Sequence, residues 1–327
     1  MFCKFNFFCM RIRFLIFLII VVTSCSNESS IEKKISEIDM DFDVERFDQL
    51  YAKVTSENFS TLRETYPFLF SKRFSDSLWL AKLKDTLQQE LHKEVEENFK
   101  DFSLEKNEIE KLFQHLKYYD KTFKEPRVIT VTNNVDYRNK IIVTDTIVLV
   151  ALDNYLGKDH RFYGGIQSYL RQNFKPEQIV INMAAAYGEK QIFNSENKTL
   201  LADMITAGKE LFFKDIMIPF KTDAQKIGYS DEQIAWAHEN EKNIWSYFVE
   251  NELLYKTDPK LASRFINPAP FSKFGLDFDN ESPGRLGQYI GWQIVRAFME
   301  NNEIDYQQML SKTSDEIFRN SKYKPQK

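Results

Sequence analysis

Histidine, carboxylate and cysteine side chains are the groups with which this 327-residue chain could do acid–base, metal or nucleophilic chemistry. There are four histidines: His92, His115, His160 and His238. His238 and Glu239 open a pattern like HExxH, in which two histidines one helical turn apart grip zinc and the glutamate activates water. The second histidine position is Lys242, whose cation would repel a metal, so no zinc is expected there. His92 and His115 fall in helical patterns and are expected at the surface or its rim. His160 sits in the loop 157–160, where Asp159 is within reach. Glu239, Glu241, Glu250 and Glu252 cluster on what reads as one long helix, a pattern expected of a solvated face. A GxSxG elbow and a phosphate-binding glycine loop are both missing. The residues therefore supply no catalytic constellation, and no metal or cofactor is expected.

The cysteines direct attention to the N-terminus. Lys4, Arg11 and Arg13 precede the nine-residue apolar run 14–22, too short to span a bilayer. The run ends in Val22-Thr23-Ser24-Cys25, which resembles a bacterial lipobox. Cleavage before Cys25 would leave a diacylglyceryl thioether there and remove Cys3 and Cys9. An internal disulfide or a cysteine-ligated zinc is then impossible. Several acyl chains anchor stably, at about 0.8 kcal/mol per buried methylene. We thus expect a signal peptide over 1–24, lipidated Cys25 with a tether over 25–40, and a single domain over 41–327. Ser26-Asn27-Glu28 is not a dense acidic run, so a periplasm-facing anchor in the cell envelope is expected.

Composition is that of a globular chain, 43% hydrophobic and 28% charged. With a net charge of −4 and no basic block in the body, nucleic acid is an unsuitable partner. The 29 Phe and 15 Tyr favour packed helices. Apolar spacing predicts helices over 76–99, from Ser103, over 199–216 behind a Thr199 cap, and over 230–255 behind a Ser230–Gln233 capping box. Between them, 127–133, 141–144 and 147–152 are rich in β-branched residues and predict an antiparallel meander whose last strand is buried on both faces. The fold class is α+β, a mostly helical single domain with a small antiparallel sheet.

The stretch 280–301, NESPGRLGQYIGWQIVRAFMEN, predicts a helix capped by Ser282 with Pro283 at its first position. Gly284, Gly287 and Gly291 share one face of it. Each glycine costs about 1 kcal/mol against alanine, so another backbone or a ligand should come close. Packing against the 199–216 helix is the expectation.

The lipobox, LFQHLKYYDKTFKEPRVITV, LGKDHRFY, LLADMITAGKELFFKDIMIP, RFINPAPFSKFG and the 280–301 stretch together resemble the gliding motility lipoprotein family GldB of Bacteroidota. The resemblance covers nearly all of the mature chain. It implies an envelope lipoprotein required for gliding, linked to the type IX secretion apparatus, with envelope proteins and the bilayer as partners. More distantly, strands followed by a helix and a later glycine-rich helix resemble zincin-like metallopeptidases. Their HExxH helix would match 199–216, whose aligned positions are Asp203, Met204 and Ala207, or Met204, Ile205 and Gly208. Neither set can hold zinc. The resemblance implies a pseudoenzyme scaffold whose groove would involve Asp203, Met204, Gly208, Gly284, Gly287 and Gly291. A hydrolase with non-standard carboxylates and a peptide- or peptidoglycan-binding module are the alternatives.

Overall fold

A four-stranded mixed sheet lies among the helices, in the order β1-β2-β4-β3: β1 Val44–Glu45, β2 Arg127–Val131, β3 Ile141–Val143 and β4 Ile147–Ala151. The structure, a computed structural model, describes residues 30–192, 197–276 and 279–326. It divides into two units, one ending at Asp39 and one running from Met40. In the first, Ser30–Ser36 is helical. The leader 1–24 and Cys25 lie outside the described residues. Among the described residues no helix is long and apolar enough to cross a membrane.

The three strands read from β-branched content all form, but their pairing corrects the antiparallel meander. Only β3 and β4 are antiparallel, through a turn in which the Thr144 hydroxyl donates to the Ile147 carbonyl. β2 runs parallel to both β1 and β4, with Val128 opposite Val148. β-Branched residues mark a strand without marking its partner's direction. The connecting loop supplies that information. Asn134 and Val135 take left-handed φ of 59° and 58°, and the Asp153 carboxylate accepts from the Asn133 and Val135 amides. Val128, Val148 and Val150 are fully buried on one face of the sheet. On the other, Ile129, Ile147 and Leu149 pack against a cluster of Phe47, Tyr51, Phe59, Tyr66 and Phe70.

Two predicted helices are broken by local chemistry. The 76–99 segment is α1 Asp76–Leu83 and α2 Thr86–Asn98, because Asp85 leaves the helical region and caps the Gln88 amide. The expected stripe is interrupted, and Leu87 is 61% exposed. The third helix, α3 Ser103–Tyr119, begins where read, but Phe102 rather than Ser103 occupies its cap position. α4 Ile179–Gln191 packs along β3. α5 Leu200–Met217 carries the Thr199 cap on the Ala202 amide, and α6 Asp223–Ile227 follows. The 230–255 segment is α7 Asp231–Glu239, with its Ser230–Gln233 capping box, and α8 Glu241–Glu250, separated at Asn240.

α9, Leu286–Asn301, starts three residues later than Pro283 suggested. Ser282 does not cap it; its hydroxyl donates to the Asp279 carbonyl at 2.7 Å. The free Leu286 amide is instead satisfied by the Ser272 hydroxyl, 3.1 Å away and distant in sequence. α9 and α5 form the most extensive helix pair, and α10 Ser314–Ser321 packs on both.

Candidate functional site

The three glycines of the α9 stretch meet three different neighbours. A Cβ on Gly284, which lies outside the helix, would strike the Ala269 carbonyl. One on Gly287 would lie 2.8 Å from the Phe265 carbonyl. Only Gly291 meets α5, where its Cβ would overlap the Met204 carbonyl. Gly208 reciprocates: its Cβ would lie 2.8 Å from the Trp292 amide, and closer still to the Gly291 carbonyl. Met204 is fully buried at this crossing, whereas Asp203 is partly exposed and burial raises its carboxyl. The Met204–Gly208 face of α5 is therefore closed by backbone-to-backbone contact, whereas Asp203 and Ala207 lie off the crossing.

The polar recess of the domain lies beside this crossing, with a cavity volume of about 260 Å³. α4 contributes Asn182, α5 contributes Glu210 and Lys214, and Lys140 enters from the strand side. Its far wall is built around Gly228. This residue ends α6 with φ 73°, a left-handed conformation that glycine adopts without a Cβ penalty. Its carbonyl accepts from Gln172, Asn173 and Arg285, each at 3.0–3.1 Å. Tyr229 donates to the Gly284 carbonyl, which holds the Gly284–Arg285 turn against the same wall. Of the six residues expected at a groove, Gly284 is the one that lines this recess.

Its electrostatics are positive. Lys214 is paired with Glu210 at 2.9 Å and Lys226 with Asp215 at 2.9 Å. Lys140 and Arg285 form no ion pair among the described residues, and Glu210 acts on Arg285 at longer range. Burial, then the charges of Lys214 and Arg285, push the Lys140 ammonium down to about 8. Burial likewise lowers Arg285. The lining has no serine, threonine, cysteine or histidine among the described residues. Such a set has the cations and amide groups to complement anions and hydroxyls. No sequence motif announces it, because its charges come from segments spread between 140 and 285.

Two polar clusters hold the helices of the domain, the first joined to the recess through the Lys226–Asp215 pair. Arg296 on α9 donates to both carboxylates of Asp215 (2.8 and 2.9 Å) and Asp223 (2.7 and 2.9 Å), and stacks over the Trp292 ring. Trp292 also donates to Asp215 at 2.8 Å. This knot locks α5, α6 and α9 together. The second cluster corrects the solvated-face reading: Glu239, Glu250 and Glu252 are exposed, but Glu241 is buried. Its carboxylate accepts from the Tyr289 and Tyr323 hydroxyls, both at 2.8 Å, and from the Gln326 amide at 3.1 Å.

The histidines are likewise placed by packing. His238 contacts the Tyr289 hydroxyl at 2.9 Å, and the Asn240 break takes Lys242 off its helix. His92 and His115 are buried rather than at the surface. His92 meets the Gln88 amide at 3.0 Å, and burial lowers its pKa. His160 contacts Glu94 rather than Asp159. Among the described residues no group of three or more His, Cys, Asp and Glu is arranged to hold a metal.

No curated protein matches the chain, and no solved structure does. The zincin-like likeness thus rests on sequence resemblance alone. A family model described as gliding motility protein GldB matches residues 28–325, nearly the whole sequence. On that match, the chain belongs to the GldB family of gliding motility proteins.

Proposed function

We propose that this chain serves gliding as a non-catalytic, lipid-anchored envelope protein, acting by protein contact within the gliding and type IX secretion apparatus. The observation that carries the non-catalytic part is the α5–α9 crossing. In the alignment that puts Met204 and Gly208 at the two histidine positions, Met204 is buried where α9 lies against the helix and Gly208 has the Gly291 carbonyl in the place of a side chain; in the other, the two positions are Asp203 and Ala207, and alanine offers no metal ligand. A substrate peptide or a metal would have to displace α9 to reach that face. Anchoring is assigned to Cys25 at the end of the 1–24 leader, with 25–40 as tether and the body from 41 facing the periplasm. The sequence of the lipobox supports this assignment.

Metabolic labelling with an alkynyl fatty acid tests the anchor. The wild-type chain should be labelled and membrane-bound, and Cys25→Ala should lose both properties; a labelled Cys25→Ala chain overturns it. The non-catalytic reading predicts that purified protein cleaves no peptide library. One zinc per chain with chelator-sensitive proteolysis contradicts it, as does loss of gliding in a folded Glu250→Gln or Glu252→Gln variant. The recess favours one second reading, a ligand-binding module.

A further inference from the structure

We propose that the recess between α4, α5 and the Gly228 turn binds an anionic sugar-sized molecule, a phosphate or carboxylate carried on a hydroxylated body. This rests on the reading of the chain as a binding protein and assigns that protein a ligand.

Charge is the first argument. After the Lys214–Glu210 and Lys226–Asp215 pairs are formed, Lys140 and Arg285 remain as two cations that form no ion pair among the described residues; Glu210, already paired to Lys214, is the carboxylate that acts on Arg285. Half-buried charge without a partner is costly, and an anion in the recess would relieve it. The Lys140 ammonium lies over the face of Phe174, 5.1 Å away, and makes no side-chain hydrogen bond among the described residues. Arg285 is held in a left-handed backbone conformation, φ 62°, which costs an arginine on the order of 1 kcal/mol or more where glycine would adopt it freely. That conformation sets the guanidinium on the Gly228 carbonyl and over Tyr229. Strain kept at the rim of a cationic recess fits a binding function.

The amide side chains supply the second argument. Gln172 and Asn173 spend their NH2 groups on the Gly228 carbonyl, Asn182 on the Tyr155 hydroxyl and Gln288 on the Ile266 carbonyl. The four amide oxygens accept no protein hydrogen bond among the described residues. They are acceptors left for a ligand, and hydroxyl groups are donors that fit them. Inorganic phosphate dianion offers a single such donor for four acceptors, so the anion should come with a hydroxylated body.

Size is the third. The cavity volume of about 260 Å³ falls just under the roughly 300–1,000 Å³ of drug-sized ligand sites, so it suits a monosaccharide and not a chain of them.

Isothermal titration calorimetry on the detergent-solubilised lipoprotein, with glucose 6-phosphate, glucuronate, glucose and inorganic phosphate as probes, tests this. One or both sugar anions should bind at least about tenfold more tightly than glucose and than phosphate, a difference of about 1.4 kcal/mol. The tighter of the two identifies phosphate or carboxylate as the preferred anion. Lys140→Met should weaken that binding about tenfold, and Lys140→Arg should restore most of it. Sugar anions that bind no better than glucose overturn the proposal, as does a folded Lys140→Met protein with unchanged affinity. Either result leaves the gliding role standing, because colony spreading reads that role without reference to any ligand.

Discussion

Replacing Gly291 by alanine probes the α5–α9 crossing with a single methyl group. Two effects oppose each other. Alanine favours a helix over glycine by about 1 kcal/mol. Against this, the new Cβ would lie 3.0 Å from the Met204 Cα and overlap the Met204 carbonyl. Carbon atoms pack best at about 3.5–4.0 Å, so the helices must separate by at least about 0.5 Å, and by more at the carbonyl. Overpacking of this kind costs typically 1–3 kcal/mol, and here the obstacle is backbone, which cannot rotate away. The separation also loosens contacts along fully buried Ile290, Ile294 and Val295. Taking the upper end of that cost, we therefore expect a net loss of about 2 kcal/mol. In a domain of this size that corresponds to a fall in Tm of roughly 4–8 °C. Differential scanning calorimetry reads it directly. Gly165→Ala is the control, because nothing lies within 4 Å of the Cβ it would add. If Gly291→Ala melts at or above the parent temperature, the two backbones are not in contact and the closed-face argument fails.

Three further outcomes follow from the polar clusters. Asp215→Ala strips acceptors from Arg296, Lys226 and Trp292 and should cost about 3 kcal/mol in urea unfolding, the low end for a broken buried pair because Asp223 still holds Arg296. Glu241→Ala leaves the Tyr289 and Tyr323 hydroxyls and the Gln326 amide without their acceptor. It should release the C-terminal residues to carboxypeptidase while the remaining body stays folded, and unchanged trimming would show the tail is held otherwise. Burial pushes the Asp153 carboxyl up to about 6, above its unfolded value of about 3.9. The folded chain thus takes up a proton first as pH falls, so this group adds stability on going from about pH 6 to pH 4 and withdraws it on the way up. The swing is about 3 kcal/mol at most, and Asp153→Asn, measured against pH, should flatten it.

Element type was legible in the sequence wherever one residue acts alone. Thr199 and the Ser230–Gln233 box cap helices as their side chains dictate, and the three β-branched segments are strands. What failed depends on distant partners. Asp85 and Asn240 break apolar stripes that read as continuous. Ser282 loses its capping place because Ser272, far upstream, serves Leu286 instead. Strand direction is set by a loop whose strained Val135 is held by Asp153, a contact no local pattern reveals. The glycines Gly208 and Gly291 were visible as a cost in helix propensity, and the structure shows where that cost is recovered. The recess was invisible, since Lys140, Lys214 and Arg285 are ordinary surface residues until the fold gathers them.

Colony spreading by a strain lacking this gene, with and without the wild-type copy restored, tests the gliding role most directly. Spreading should be lost in the deletion and recovered on complementation. A deletion strain that spreads like its parent would contradict it.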